Sequence, residues 1–525
     1  MTFQANEKSS GDDIITQCCA VLFWITAAVS LVFLWQSRNL PLLDMHGFRQ
    51  TQTAISALWM RQEGTLIPYQ TPVFGHPWFI PYEFPLYQGL AAGLSCLGVP
   101  LDLSGRIVSY VFFVLLLVSV RLIMKAFRLP SSLFYVFGGL YLSSPAYLFW
   151  GRAFLIETTA LFFCVTGALI LIYAARRRHW LPVLAATAFL TVGTLVKGTT
   201  SPQCLGFGLA MATLLLFDDD TLSWQKKLIT FALLLAASIL PVLATLGWIH
   251  YCDAIKQAGL MSTIHTSRGL RSWYSPDLHL FLKNADLLPK RMFLELVGTP
   301  WVVYLCLPLA LVGGLRCFAL TALALCCFFL PILLFTRVHI VHNYYQVSNG
   351  VFLVAAVALA VFSLTRTKLK VIVPIVLLVC IALNYLFFYD YFYKIFRDTA
   401  TRADTREILT LASAVSDASD PNGVVFIFGR DWSAEIPYYS QRKAVMFPFW
   451  LPRQILKKAL AAPNSLTGTA PLQAILFCPN TTGEHIDYNR LTDEFLRKEV
   501  ASDEVIVVDG CTLYRHRVPS NADSR

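Results

Sequence analysis

The chain has 525 residues, of which 56% are hydrophobic and 14% charged, with a net charge of +10. Globular chains carry about 25% charged residues, so the composition excludes an ordinary soluble protein and points to one that crosses a membrane many times. From Lys394 onward basic and acidic side chains balance at 16 each; the positive excess sits in the apolar part, where it sets orientation, and no nucleic-acid partner is implied.

A span needs roughly 20 apolar residues. The first run, Ile14–Gln36, is too long for a signal-peptide core and has acidic residues before it. It reads as a retained first span, with the N-terminus cytoplasmic. Basic clusters then recur at Arg121/Lys125/Arg128, Arg176–Arg178, Lys226/Lys227, Arg316 and Arg366/Lys368/Lys370. Placing each of them inside requires about eleven transmembrane helices. They lie near residues 15–36, 104–126, 131–149, 154–175, 181–198, 202–218, 227–248, 300–315, 318–335, 347–365 and 371–390. Phe84–Val99, short and glycine-rich, is left as a re-entrant or interfacial helix on the outer side. The expectation is an all-α polytopic membrane domain over residues 1–393, with long outer loops at 37–103 and 249–299. After it, "GVVFIFG", "AILFCP" and "EVIVVDG" alternate with amphipathic helical stretches, which predicts a small α/β domain at 394–525 on the outer, periplasmic face.

Most of the 13 cysteines lie in apolar runs, where a thiol behaves as a small hydrophobe. Cys478 and Cys511 lie in the tail and would pair in an oxidising compartment. Asn480-Thr481-Thr482 matches a glycosylation sequon, and Asp218-Asp219-Asp220 reads as a cytoplasmic turn.

Charges at membrane level are costly and are usually paired or functional. On this topology they gather on the outer side. In "LLDMHGFRQTQTA", His46, Arg49, Gln50 and Thr53 share one face of a helix running from Asp44 to Glu63 and stopped by Gly64. Taken alone, that stretch reads as a solvated helix capped by Asp44. Its opposite face, with Phe48, Ile55, Leu58 and Trp59, is apolar enough to lie on a membrane. Glu83 sits among prolines and aromatics in "HPWFIPYEFPLYQG", a rigid wall suited to a sugar or isoprenoid. In "GRAFLIETTALFF", Glu157 starts a membrane helix where the dipole favours a carboxylate, and Arg152 is five residues away, off the same face. Lys197 ends the fifth span. "RVHIVHNYYQ" combines Arg337, His339, His342, Tyr344 and Tyr345, a set suited to an anionic headgroup. Three histidines with carboxylates are able to hold a divalent metal, but no spacing in the chain marks a metal site.

The order of these motifs resembles the GT-C membrane glycosyltransferases over roughly residues 15–390, nearest to bacterial members related to protein O-mannosyltransferases and to the lipid A aminoarabinose transferase. The resemblance rests on an apolar first span, an outer loop with Asp44 and "HGFRQTQTA", then "EFPLYQ", "GRAFLIETTALFF" and "HNYYQV". It implies a GT-C fold and transfer of a sugar, with inversion, from a polyprenyl-monophosphate donor to an acceptor on the outer face. Glycans, lipids and proteins are the acceptor classes, and membrane lipids the surroundings. It implies that Asp44 is the general base and that Arg49, Arg152, Lys197, Arg337 and His342 supply the cations for the donor phosphate. His46, Gln50, Glu83, Glu157, His339, Tyr344 and Tyr345 complete the expected substrate-binding set. Where many relatives carry a second acidic residue after the loop Asp, this chain has Met45-His46. The competing readings are a transporter or flippase for a lipid-linked or anionic solute, and an assembly subunit.

Overall fold

The structure is a computed structural model that describes residues 10–177, 179–479, 486–500 and 504–516; Arg178 and the Asn480-Thr481-Thr482 sequon lie outside these. By internal packing the chain forms two compact units: Met1–Asn39, Arg106–Trp248 and Arg271–Ile395 in the first, and Leu40–Gly105, Ile249–Leu270 and Phe396–Arg525 in the second.

The first unit is helical. Among the described residues eight helices are long and apolar enough to cross a membrane, or nine if Leu288–Val297 and Pro300–Val312, bent by 78°, form one span. This corrects the count of about eleven. The 131–149 segment is split into Ser131–Ser143 and Pro145–Trp150, with Ser144 extended between them (φ −54°, ψ 124°). Pro145 follows directly, and a proline disfavours the helical region for the residue before it, in keeping with the break at Ser144. The 181–198 segment is the 17-residue helix Trp180–Val196. At a rise of about 1.5 Å per residue it falls short of a bilayer core of about 30 Å. In the other direction, the helix begun at Trp224 runs 33 residues to Lys256, past its expected end at 248.

Small residues set the helix packing here. A Cβ at Gly167 would lie 2.7 Å from Leu190, and one at Gly193 would lie 2.6 Å from the Cys164 sulfur. Glu157–Arg177 and Trp180–Val196 therefore approach backbone to backbone, as small residues permit in lipid. Asp219 Oδ1 accepts from the Thr221 N–H (3.0 Å) and hydroxyl (2.6 Å), closing the acidic turn.

The second unit combines the first long loop with the tail. Its sheet has the order β2-β1-β3-β5-β4, with β1 Val424–Phe428, β2 Lys443–Phe447, β3 Leu472–Phe477, β4 Glu504–Val508 and β5 Cys511–Arg515. β1 pairs in parallel with β2 and β3, and β5 pairs antiparallel with β3 and β4. The three expected strands are β1, β3 and β4, while "KAVMF" and "CTLYR" are two more that the sequence reading did not pick out. The outer edge of β2 is covered by the first loop: Ala444 N–H donates to the Pro72 carbonyl (3.1 Å) and Met446 N–H to Val73 (2.8 Å). Covering an edge in this way blocks further strand addition. Cys478 and Cys511 form a disulfide, with Cα atoms 4.3 Å apart. The short helix Leu86–Cys96 has 11 residues, too few to span.

Two glycines of the sheet differ in what they must avoid. Gly429 follows β1 at φ 76°, and a Cβ there would overlap the Cys478 carbonyl oxygen; Gly510, in the β4–β5 hairpin at φ 77°, has open space around it. Gly510→Ala should therefore cost only the left-handed penalty of about 1–2 kcal/mol. Gly429→Ala adds a backbone clash, so its apparent Tm, followed by intrinsic fluorescence, should fall markedly further than that of Gly510→Ala. Equal losses would mean that the close approach at Gly429 does not constrain the fold.

Candidate functional site

The expected site residues fall into two groups, one in each unit.

In the second unit, Asp44 is 1% exposed. One carboxylate oxygen accepts from the Met45 N–H (2.8 Å) and from Gln50 Nε2 (2.6 Å), and Gln50 Nε2 also donates to the Met45 carbonyl (2.9 Å). Asp44 is thus not a cap on a solvated helix. The helix begins at Gly47, after His46 in the left-handed region (φ 50°, ψ 44°) and without a side-chain cap; it ends at Glu63, where Gly64 N–H bonds the Met60 carbonyl. Every residue from Gln50 to Met60 is buried, including Ile55, Leu58 and Trp59, so the face expected on the membrane packs inside protein. Arg49 pairs with Glu83 and donates to Gln52 Oε1 (2.7 Å). Thr53 spends its hydroxyl on the Arg49 carbonyl (3.1 Å).

Three tail residues join this group. Arg402 donates to the Asp44 carbonyl (2.7 Å) and the Leu43 carbonyl (3.3 Å), while pairing with Asp404 (2.6 Å). Glu435 reaches Gly47 so closely that a Cβ there would lie 2.8 Å from its Oε1. Burial raises the Glu435 carboxyl above its ordinary value, against the bond from Ser433 and the charge of Arg430. Tyr439 accepts from the Leu42 N–H (2.6 Å). The tail therefore holds the backbone on which Asp44 sits.

The same unit places His265, 4% exposed, among aromatic rings: 4.2 Å from Trp432, 4.6 Å from Phe74 and 5.9 Å from Tyr82. Lys256 Nζ donates to the His265 carbonyl (3.1 Å) and lies 4.3 Å over the Tyr82 ring. Burial, with the Lys256 cation as a second cause, pushes the His265 imidazole down to about 3.

In the first unit, Lys197 Nζ pairs with Glu157 Oε1 at 2.6 Å, with side-chain exposures of 7% and 1%. The ammonium also lies 3.8 Å over the Tyr345 ring and 5.4 Å over Tyr344. The buried Arg152 lies over the Phe33 and Phe149 rings at 4.8 and 4.6 Å. Arg337 is 5.7 Å over Trp273, whose ring stacks on His342 at 6.0 Å; His342 in turn stacks on Tyr344 at 5.4 Å. His339 is buried, its carbonyl accepting from Arg291 (2.7 Å) and Gln346 (3.2 Å). Asn343 donates to Glu295 (3.1 Å). Among the described residues no three His, Cys, Asp or Glu side chains gather as a metal site requires.

No protein-family model matches this chain, and no curated protein matches it in sequence. Solved structures do. ArnT from Cupriavidus metallidurans in the apo state is 13% identical with a TM-score of 0.58, over 93% of this chain and 97% of that one. The same protein bound to undecaprenyl phosphate is 12% identical with a TM-score of 0.58, over 94% and 98%. This chain shares the fold of those two ArnT structures. With its apolar helices, this chain is an integral membrane protein.

Sequence reasoning missed Arg402, Glu435 and His265 in the second unit, and Trp273, Arg291 and Glu295 beside the later motif. None lies in a stretch whose local pattern is unusual. The nearest signal is "RADTRE", where Arg402 stands two residues before an acid just outside the tail's first amphipathic helix.

Two outcomes follow from these groups. Removing one partner of a buried ion pair strands the other charge, at about 3–5 kcal/mol. Lys197→Ala should therefore lower the apparent Tm strongly, and adding Glu157→Gln should recover part of the loss; a double variant as unstable as the sum of the singles would deny the coupling. For His265, the native imidazole stays neutral down to about pH 3, whereas an unfolded one takes a proton near its ordinary 6.5. The unfolded chain thus binds more protons as pH falls through that window. The contribution of His265 to stability is complete above pH 6.5 and lost progressively toward 3. The apparent Tm of His265→Phe should fall less between pH 7 and 5 than that of the parent, and parallel losses would remove His265 as the cause.

Proposed function

We propose that this chain transfers a sugar from a polyprenyl-monophosphate donor to an acceptor hydroxyl on the outer face of the membrane, with Asp44 as general base. The observation that carries this reading is the seat of Asp44: a carboxylate withdrawn from water and fixed by Gln50 and the Met45 N–H, in a GT-C fold. The solved ArnT complex holds undecaprenyl phosphate, which supports a lipid phosphate as the carrier here. The cations of the reading are Arg49, Arg152, Lys197, Arg337 and His342.

In the step itself, the acceptor oxygen attacks the anomeric carbon from the face opposite the phosphate. Asp44 takes the hydroxyl proton as the new C–O bond forms. The bond from the anomeric carbon to the phosphate oxygen breaks with inversion, and its electron pair leaves on the lipid phosphate, where charge grows and cations are most effective. Arginine suits that task because its planar fork holds two oxygens at once. The Cys478–Cys511 disulfide supports an oxidising compartment for the tail, in accord with an outer-face reaction.

Purified protein supplied with a series of polyprenyl-phosphate sugars and candidate acceptors should release polyprenyl phosphate only when an acceptor is present. Asp44→Asn should lower that rate by about 10²–10⁴, the usual contribution of a general base. Parent-like turnover by Asp44→Asn would remove Asp44 as the base. Donor hydrolysis that is indifferent to acceptor would remove the transfer reading itself.

A further inference from the structure

The ring cluster around His265 is separate from the bonds that hold Asp44, and its geometry suits a ligand. Its floor is Phe74 and His265, both buried. Its walls are half-buried Tyr82 and Trp432 and exposed Trp450, with Phe74 and Trp432 stacked at 5.5 Å and Trp450 6.4 Å from His265. Neither ring nitrogen of His265 has a hydrogen-bond partner among the described residues. Leaving both nitrogens of a buried imidazole unmatched is costly in a finished core. It is reasonable where a ligand supplies the partners. Trp450 Nε1 donates to Asp431 Oδ1 (2.8 Å), which fixes an exposed carboxylate beside an exposed indole.

The position fits a substrate subsite. Trp432 follows β1 and Trp450 follows β2, both at the carboxyl ends of parallel strands, where α/β sheets bind ligands. Phe48, on the first turn of the helix that follows Asp44, meets Trp432 edge-on at 4.8 Å.

The chemistry selects the ligand class. Flat indole faces match the C–H face of a pyranose. A neutral imidazole both donates and accepts, and a carboxylate accepts from paired hydroxyls. A peptide acceptor would use a free strand edge, but the edge of β2 beside this cluster is already bonded to Pro72 and Val73. Resting on the glycosyl-transfer reading, we propose that Trp432 and Trp450, with His265 and Asp431, form the subsite that receives the acceptor, and that this acceptor is a saccharide.

Saturation-transfer NMR on the full-length protein in nanodiscs tests this without any donor. The probes are methyl pyranosides of glucose, galactose, mannose, rhamnose and N-acetylglucosamine, with a Ser/Thr peptide alongside. At least one saccharide should receive saturation on its ring C–H protons. That signal should fall at least about fivefold in Trp432→Ala, in line with the worth of a ring contact, and be kept in Trp432→Phe. His265→Phe, which keeps the ring and removes both nitrogens, should weaken the signal while the protein stays folded. A signal equal in parent and Trp432→Ala, saturation on the peptide alone, or no saccharide signal at all would each overturn the proposal. A Trp432-dependent saccharide signal in a protein that never releases polyprenyl phosphate would instead overturn the transfer reading and leave the saccharide site standing.

Discussion

The second unit depends on keeping one carboxylate out of water. Burying a charge without partners costs several kcal/mol, so the Asp44 loop has to be bonded closely. Gln50 and the Met45 N–H supply the carboxylate's bonds, Arg402 takes the carbonyls of Leu43 and Asp44, and Tyr439 takes the Leu42 N–H. Three of these contacts bind one oxygen or amide each along Leu42–Met45, and two of the contributing residues come from more than 350 positions away. On the proposed reading Asp44 takes a proton at a defined point, and a rigid seat serves that task, because a misplacement of about 1 Å loses most of the advantage of proximity.

A similar economy holds in the first unit, where the medium is apolar. Lys197 is tolerated because Glu157 is 2.6 Å away and Tyr345 offers a ring face. Arg152 lies between Phe33 and Phe149, and the Arg337, Trp273, His342 and Tyr344 side chains run on as cation and rings in sequence. Aromatic faces help to hold these cations, which give the group its positive character. Such character suits a phosphate carried on a lipid.

Some of this was legible locally. The helix that starts just after Asp44 and stops at Gly64 follows from spacing and a terminal glycine, and the strands β1, β3 and β4 follow from short apolar runs between turn residues. The break at Ser144-Pro145 has only a weak local trace in its proline, because Trp224–Lys256 runs on through Pro241. Other features had no local trace. The first loop covers β2 through backbone bonds at Pro72 and Val73, and backbone bonding leaves no mark on side-chain pattern. Asp44 looked like a cap because a carboxylate near a helix start is usually one; only the non-local packing of the tail turned it inward.

By itself the sequence determined the membrane class, the approximate spans and the types of residue at the outer level. Those depend on composition and on short periodic patterns that a single helix or strand must satisfy. The tertiary structure decided which of the charged residues are partners. It paired Arg49 with Glu83 and Lys197 with Glu157, and brought Arg402 and Glu435 from the tail to the Asp44 loop. It also gathered His265 with Trp432 and Trp450, and closed Cys478 on Cys511. Such pairings join residues far apart along the chain, and packing and burial, which no local pattern encodes, select them.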